Sequence, residues 1–235
     1  MKKIIFSIII LSNIILGQSG GQSNDYMKDF EKYLENASIM IGMNQSFYGP
    51  EWNEEMKDIE DSGYDVDRKP FRKLNFTLMN EFKHRLIGGV KYLNYGYDYK
   101  FDDLSDEGPS ESFIEMELKF YKLFLTYPMI NGLYLGIEGG YFVEGVRDFN
   151  YEDGGSEGGT FDREDWEDAD PPLSTFDYGV LGQFYYNINE NMLATVEGYY
   201  GLSKFLEDYD ADMIGIPNVF HYVNLGIAYK FGKKK

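Results

Sequence analysis

Cysteine is absent from all 235 residues, so neither a disulfide framework nor a thiolate metal site is open to this chain. Histidine is nearly absent too: His84 and His221 are the only two, which leaves few bases poised near neutral pH. Positive charge is short, with 22 Lys and Arg against 40 Asp and Glu and a formal net charge of −18. That balance repels phosphate backbones, and no basic stripe interrupts it, so nucleic acid is excluded as a partner. Beyond residue 16 no apolar run approaches the roughly 20 residues a membrane-spanning helix needs. The one spanning form left to the rest of the chain is a closed β-barrel, whose strands satisfy every backbone group within the protein.

What is present points the same way. Lys2 and Lys3 precede an apolar run over residues 4–16, and Gly17, Gln18, Ser19 and Gly20 follow. A positive start, a short apolar core and a small-residue exit read as a cleaved secretory signal peptide, residues 1–17. Without a cysteine it is not a lipoprotein signal. Residues 18–37 form a periplasmic lead-in, in which Tyr26, Phe30, Tyr33 and Leu34 share one face at helical spacing. Residues 38–231 are one domain, and residues 232–235 a basic tail. Tyr (21), Phe (18) and Gly (26) are all abundant in a strongly acidic chain, the composition that alternating strands with aromatic belts give.

Eight segments alternate with a period of two: 38–47, 73–83, 85–97, 113–124, 133–146, 176–186, 192–202 and 220–231. In the last, Val223, Leu225, Ile227, Tyr229 and Phe231 fall on one face, with Asn224, Gly226, Ala228 and Lys230 on the other. Each segment is close to the length a tilted strand needs to cross a bilayer. The links between them alternate in length. Those at 48–72, 98–112, 147–175 and 204–218 are long; those near 84, 127–132 and 187–191 are short. All seven prolines fall in links, as ladder hydrogen bonding requires. Long loops at one end and tight turns at the other give an all-β fold: an eight-stranded antiparallel up-and-down transmembrane barrel in the cell outer membrane.

The apolar faces carry Tyr and Phe near strand ends and are read as facing lipid. The opposite faces then line the lumen, bringing in a charge cluster of Lys91, Glu115, Glu117, Lys119, Glu138 and Glu197, with Glu81, Glu144 and Lys230 nearby. An eight-stranded barrel is just filled by its side chains, so these charges read as a salt-bridged plug. In the fourth segment this places Ile114, Met116, Leu118 and Phe120 in lipid.

The stretch D-Y-G-V-L-G-Q-F-Y-Y-N-I-N-E-N-M-L-A-T-V-E-G-Y-Y-G-L-S-K-F, residues 177–205, resembles the last hairpin of the outer-membrane β-barrel domain of PorT-type proteins. The ending V-N-L-G-I-A-Y-K-F, residues 223–231, is similar to that family's last strand. E-M-E-L-K-F-Y-K-L-F-L-T-Y with G-L-Y-L-G-I-E-G-G-Y-F-V-E-G, residues 115–127 and 132–145, resembles its central hairpin. The resemblance covers most of the mature chain, leaves the acidic loops unmatched, and implies a small OmpA-like eight-stranded barrel. The family brings no catalytic motif, and this chain ends in G-K-K-K after its last aromatic residue.

No catalytic constellation is expected. His84 sits in a short turn and His221 near the far end of the closing strand, so they cannot share a site. His221 with Ser203 and Glu207 is the one arrangement that would suit a lipid-modifying enzyme; a narrow small-solute channel is a further alternative. The acid is concentrated in the long links, and Asp162, Glu164, Asp165, Asp168 and Asp170 are weak candidates for Ca²⁺ or Mg²⁺, although no stretch fits the EF-hand pattern. Trp52 and Trp166 lie in the same links. The expected function is non-enzymatic, with acidic loops for envelope structure or extracellular contact. Expected partners are outer-membrane lipid and lipopolysaccharide, the barrel-assembly machinery during insertion, and an extracellular ligand.

Overall fold

The computed structural model describes residues 36–48, 50–69, 72–103, 110–150, 156–167, 174–205 and 219–231. The expected signal peptide at residues 1–17, residues 18–35 of the expected lead-in, residues 232–235, Asp168, Asp170 and Glu207 lie outside the described residues. In chain order the elements are β1 (Ala37–Tyr48), α1 (Pro50–Asp61), β2 (Tyr64–Lys69), β3 (Arg72–Glu81), a 3₁₀ turn (Lys83–Arg85), β4 (Ile87–Asp103) and β5 (Ser110–Ile130). They continue as β6 (Leu133–Asn150), β7 (Ser156–Asp162), α2 (Arg163–Glu167), β8 (Phe176–Asn187), β9 (Met192–Gly201) and β10 (Phe220–Lys230).

Hydrogen bonding runs β1–β3–β4–β5–β6–β8–β9–β10 and returns to β1, every pairing antiparallel. β2 and β7 stand outside this ring, on β4 and β6. The result is a closed up-and-down barrel of eight strands, with no free edge in the ring itself. Closure is tight where β6 passes β5: a Cβ on Gly136 would lie 1.9 Å from the Leu125 carbonyl oxygen, and one on Gly140 2.0 Å from that of Tyr121. Only glycine lets the two backbones approach so closely.

Around the ring, the outward faces of the strands carry a band of exposed apolar residues. Ile41, Phe76, Leu123, Ile137, Val180, Val196 and Leu225 all lie outward there. Tyr127, Tyr186 and Tyr229 mark its lower rim; Tyr121, Tyr141, Tyr178 and Tyr200 mark its upper one. This is the apolar band with two aromatic belts that a lipid-facing barrel carries.

Above the upper tyrosines the pattern inverts. On β5 the even-numbered residues from Met116 to Thr126 point inward. Lys122, Phe124 and Thr126 are the inward residues at the band, where Tyr121, Leu123 and Leu125 face out. Further up, Met116, Leu118 and Phe120 are the buried inward residues, and Glu115, Glu117 and Lys119 face out. The fourth alternating segment therefore has the opposite orientation to the one expected from its pattern: Leu118 and Phe120 are each 0 % exposed. The backbone does not change sides; the solvent does. Where lipid surrounds a strand its apolar residues face outward, and where water surrounds it they turn in.

Strand length is the second correction. Residues 98–112 are not a long open link, because β4 continues to Asp103 and β5 begins at Ser110. At about 3.3 Å per residue, β5 reaches ~70 Å, more than twice the ~30 Å of a bilayer core. β2 joins β4 at residues 98–103, and β7 joins β6 at residues 144–150. Thus β2, β4, β5, β6 and β7 form a wall standing above the ring. Met56 of α1 and Val66 of β2 are buried in one cluster with Tyr97, Tyr99 and Met116 of that wall. A register shift opposite Lys119 and Phe120 leaves Val143 unpaired on β6, a bulge where the wall leaves the ring.

Candidate functional site

The chemistry of the described residues is concentrated in the lumen at the level of the apolar band. β4 supplies Lys91, β5 Lys122, β6 Glu138, β8 Asp177 and β9 Glu197, and all five side chains are 0 % exposed. They meet because the inward positions of neighbouring strands are in register, Lys91 opposite Lys122 and Gln183 opposite Glu197. Two ammonium groups directly across a strand pair repel, and Glu138 lies between them. Lys91 Nζ is 2.6 Å from Glu138 Oε2, and Lys122 Nζ is 3.4 Å from its Oε1.

Each carboxylate has further donors. The Tyr222 hydroxyl lies 2.9 Å from both Glu138 oxygens. Glu197 takes Lys91 at 3.1 Å, and accepts from Gln183 Nε2 at 2.5 Å and Asn224 Nδ2 at 2.7 Å. Asp177 pairs with Lys122 and accepts from Ser203 Oγ at 2.7 Å, the Tyr199 hydroxyl at 2.9 Å and the Tyr95 hydroxyl at 3.2 Å. The Lys122 ammonium also sits 3.9 Å from the Tyr199 ring centroid. A charge withdrawn from water costs several kcal/mol unless paired and hydrogen-bonded, and each of these five is both.

A layer of aromatic rings closes the lumen above the charges. Tyr95 stacks on Phe220 at 4.8 Å; Phe220 meets Phe205 at 5.3 Å, and Phe120 meets Phe142 at 5.7 Å. With all five charged groups out of contact with solvent, the arrangement ties six strands together. Its chemistry is that of a clamp.

Of the charges expected in the lumen, the structure gathers Lys91, Glu138 and Glu197 and separates Glu115, Glu117 and Lys119. Lys73 lies 3.1 Å from Glu115 and 2.9 Å from Glu117, and Lys119 lies 2.6 Å from Glu144, all of them partly in contact with solvent. The physical reason is the inversion: those residues stand in the wall, where the outward side meets water. Lys122 was missed for the same reason, since it shares the parity of Leu118 and Phe120. Alternation places Tyr199 and Tyr222 inward with Glu197 and Asn224, but nothing in the sequence marks them or Tyr95 as partners of the charges, because a tyrosine suits an aromatic belt as well as a lumen.

Two of the acidic candidates for a cation, Asp162 and Asp165, hold the backbone of α2. Asp162 Oδ1 accepts from the amides of Glu164 at 2.8 Å and Asp165 at 3.2 Å, and Asp165 Oδ2 accepts from the Asp162 amide at 2.9 Å. That is reciprocal capping of α2. Among the described residues no three acidic or histidine side chains come together in metal-holding geometry. His221 Nδ1 accepts from the Gly201 amide at 3.1 Å, and its ring stacks on Tyr200. The Ser203 hydroxyl is turned to Asp177, so nucleophile and base do not meet. Trp52 falls in α1 and Trp166 in α2.

No protein-family model matches the chain, and no functionally curated protein matches it. Solved structures similar to it are outer-membrane barrels. Ail, the attachment invasion locus protein of Yersinia pestis, is 17 % identical with a TM-score of 0.41, covering 83 % of this chain and 98 % of that one. Neisserial surface protein A is 7 % identical with a TM-score of 0.38, over 83 % and 96 % of the two chains. OprG of Pseudomonas aeruginosa is 12 % identical with a TM-score of 0.31, over 86 % and 98 %. Likeness at this level transfers no ligand and no activity.

Proposed function

We propose that this chain is a non-enzymatic outer-membrane barrel, exported through a cleaved signal peptide, whose wall presents an acidic surface to the outside. The observation that carries the reading is the inversion along β5, from apolar-out at Leu123 and Leu125 to apolar-in at Leu118 and Phe120. A strand has reason to reverse its faces only when its surroundings change from lipid to water. The closed charge clamp supports a structural lumen over a solute channel, and the open Ser203–His221 arrangement supports binding over lipid modification. The long-loop end then faces outward, where α1, β2 and β7 build a surface out of segments that a bare membrane anchor does not need. The sequence likeness to PorT-type barrels belongs with this reading.

Fractionation tests it. The chain should sediment with the outer membrane, run at a different mobility before and after boiling, and leave proteoliposomes impermeable to small sugars. Recovery in the soluble periplasmic fraction would overturn the location; sugar-sized permeability would overturn the closed lumen.

A further inference from the structure

The buried charge in the lumen does not balance. Among the described residues the buried side chains that carry charge are Lys91, Lys122, Glu138, Asp177 and Glu197, two cations against three carboxylates. Each is paired locally, yet the set keeps one surplus negative charge out of reach of water, a costly state without a counter-ion. A row of buried amides leads away from Glu197 through β10 and β3. Asn224 Nδ2 donates to Glu197 Oε2 at 2.7 Å, and Asn75 Nδ2 donates to Asn224 Oδ1 at 3.1 Å. Both amides turn their N–H ends toward the carboxylate, so their dipoles relay its negative charge to Asn75 Oδ1. Two more amides lie beside them. Asn44, the β1 partner of Asn224, donates to the Asn94 backbone carbonyl, and Asn94 Nδ2 donates to the Leu74 carbonyl at 3.1 Å.

Asn44, Asn75 and Asn94 each spend Nδ2 on an oxygen acceptor. Turning any of these amides over would set oxygen against oxygen, so their orientation is fixed. Their three Oδ1 atoms then face no N–H or O–H donor among the described residues, and all three residues are at least nine-tenths buried. Carbonyl oxygens in excess beside a surplus negative charge call for a positive ion. We propose that the amide oxygens of Asn44, Asn75 and Asn94 hold a monovalent metal cation, Na⁺ or K⁺, which serves as the counter-ion of the charge clamp. Neutral oxygens of this kind replace the hydration shell of such an ion. Water would satisfy the oxygens and leave the charge; a divalent ion would leave a surplus of the opposite sign. Gly42 keeps the space open, since a Cβ there would lie 2.9 Å from Asn75 Oδ1 and 2.3 Å from Asn224 Oδ1.

The chain folded in a non-ionic detergent provides the test. Sodium or potassium chloride is raised from about 1 to about 100 mM against choline chloride at constant ionic strength. The unfolding equilibrium constant in urea should fall at least about threefold, because an ion bound only by the folded chain stabilises it by mass action. Glu197→Gln, which removes the surplus charge, and Asn75→Leu, which removes the central oxygen, should each abolish this response. Glu164→Gln, on the exposed surface, should keep it. Asn44→Leu replaces Asn75→Leu if the latter does not fold. A response that persists in folded Glu197→Gln and Asn75→Leu places the ion elsewhere and overturns the proposal. The unaltered chain decides the matter even if every lumen variant fails to fold. If it shows no response to either ion, or if its infrared spectrum keeps a protonated-carboxyl band at the higher ion concentration, a proton neutralises the clamp and the proposal falls.

Discussion

Asp177 illustrates how much one lumen residue carries. It pairs with Lys122 and takes three hydroxyl donors from Tyr95, Tyr199 and Ser203, with no solvent to replace any of them. Removing one member of such a pair strands the other. Lys122→Met should therefore destabilise the barrel by about 3–5 kcal/mol, measured as a lower urea midpoint for loss of the folded band, because it leaves a buried unpaired carboxylate. Adding Asp177→Asn to Lys122→Met should recover part of that loss, since the double variant buries no unpaired charge in this pair. If the double variant were as unstable as the sum of the singles, the pair would be packing independently and the clamp reading would fail. Strain is also held in single residues: His84 and Arg85 both adopt φ of +62°, a region that costs a non-glycine residue about 1–2 kcal/mol. Arg85→Gly should raise the urea midpoint by an amount equivalent to at most ~1 kcal/mol, the relief being partly offset by the freedom glycine regains on unfolding.

At the scale of the element, β5 is the strand on which the reading of the whole barrel turns. Leu123 lies outward within the apolar band, and Leu118, five residues earlier, lies inward within the wall. Leu123→Arg should impair membrane insertion by about 2–4 kcal/mol if it sits near the bilayer midplane. Leu118→Arg should insert, yet disturb the wall, because it places a charge against Phe120 and Met116 instead of lipid. Lys119→Gln should leave both intact and remove only the surface ion pair with Glu144. Folding yield into lipid vesicles separates the first substitution from the second, and limited proteolysis of the wall separates the second from the third. Insertion blocked by Leu118→Arg but tolerated with Leu123→Arg would mean that the lipid boundary lies elsewhere on β5.

For the molecule as a whole, the consequence is an asymmetric object: eight strands in a ring, and five strands of wall above one part of it. Gly159 on β7 has open space around its Cβ position, and Asn189 lies exposed in the β8–β9 turn. Gly159→Cys should react with an impermeant thiol reagent on intact cells, and Asn189→Cys should react only after the outer membrane is broken. Labelling of Asn189→Cys in sealed cells would invert the topology. Deleting residues 156–167 should leave a heat-modifiable barrel, because β7 pairs only with β6 and closes no part of the ring. Loss of an external contact in that variant, with the barrel intact, would place the function in the wall.

Periodicity alone specifies the class of fold, because a period of two repeated eight times between alternately long and short links has few other solutions. On β8, β9 and β10 it also determined which residues face which way. Tyr178, Val196 and Leu225 are exposed, while Asp177, Glu197 and Asn224 are buried, as alternation required. Lys91, Glu138 and Glu197 were legible as lumen charges for the same reason. Where each strand leaves the apolar band is set only by the assembled barrel. Alternation reports that two faces differ; it does not say which medium lies outside either one. β5 and β6 run through both media, so the same local pattern at Leu118 and at Leu125 has opposite meanings. Glu115, Glu117 and Lys119 were misplaced, and Lys122 overlooked, because hydrophobic periodicity is a local signal and the boundary between lipid and water is a property of the assembled barrel.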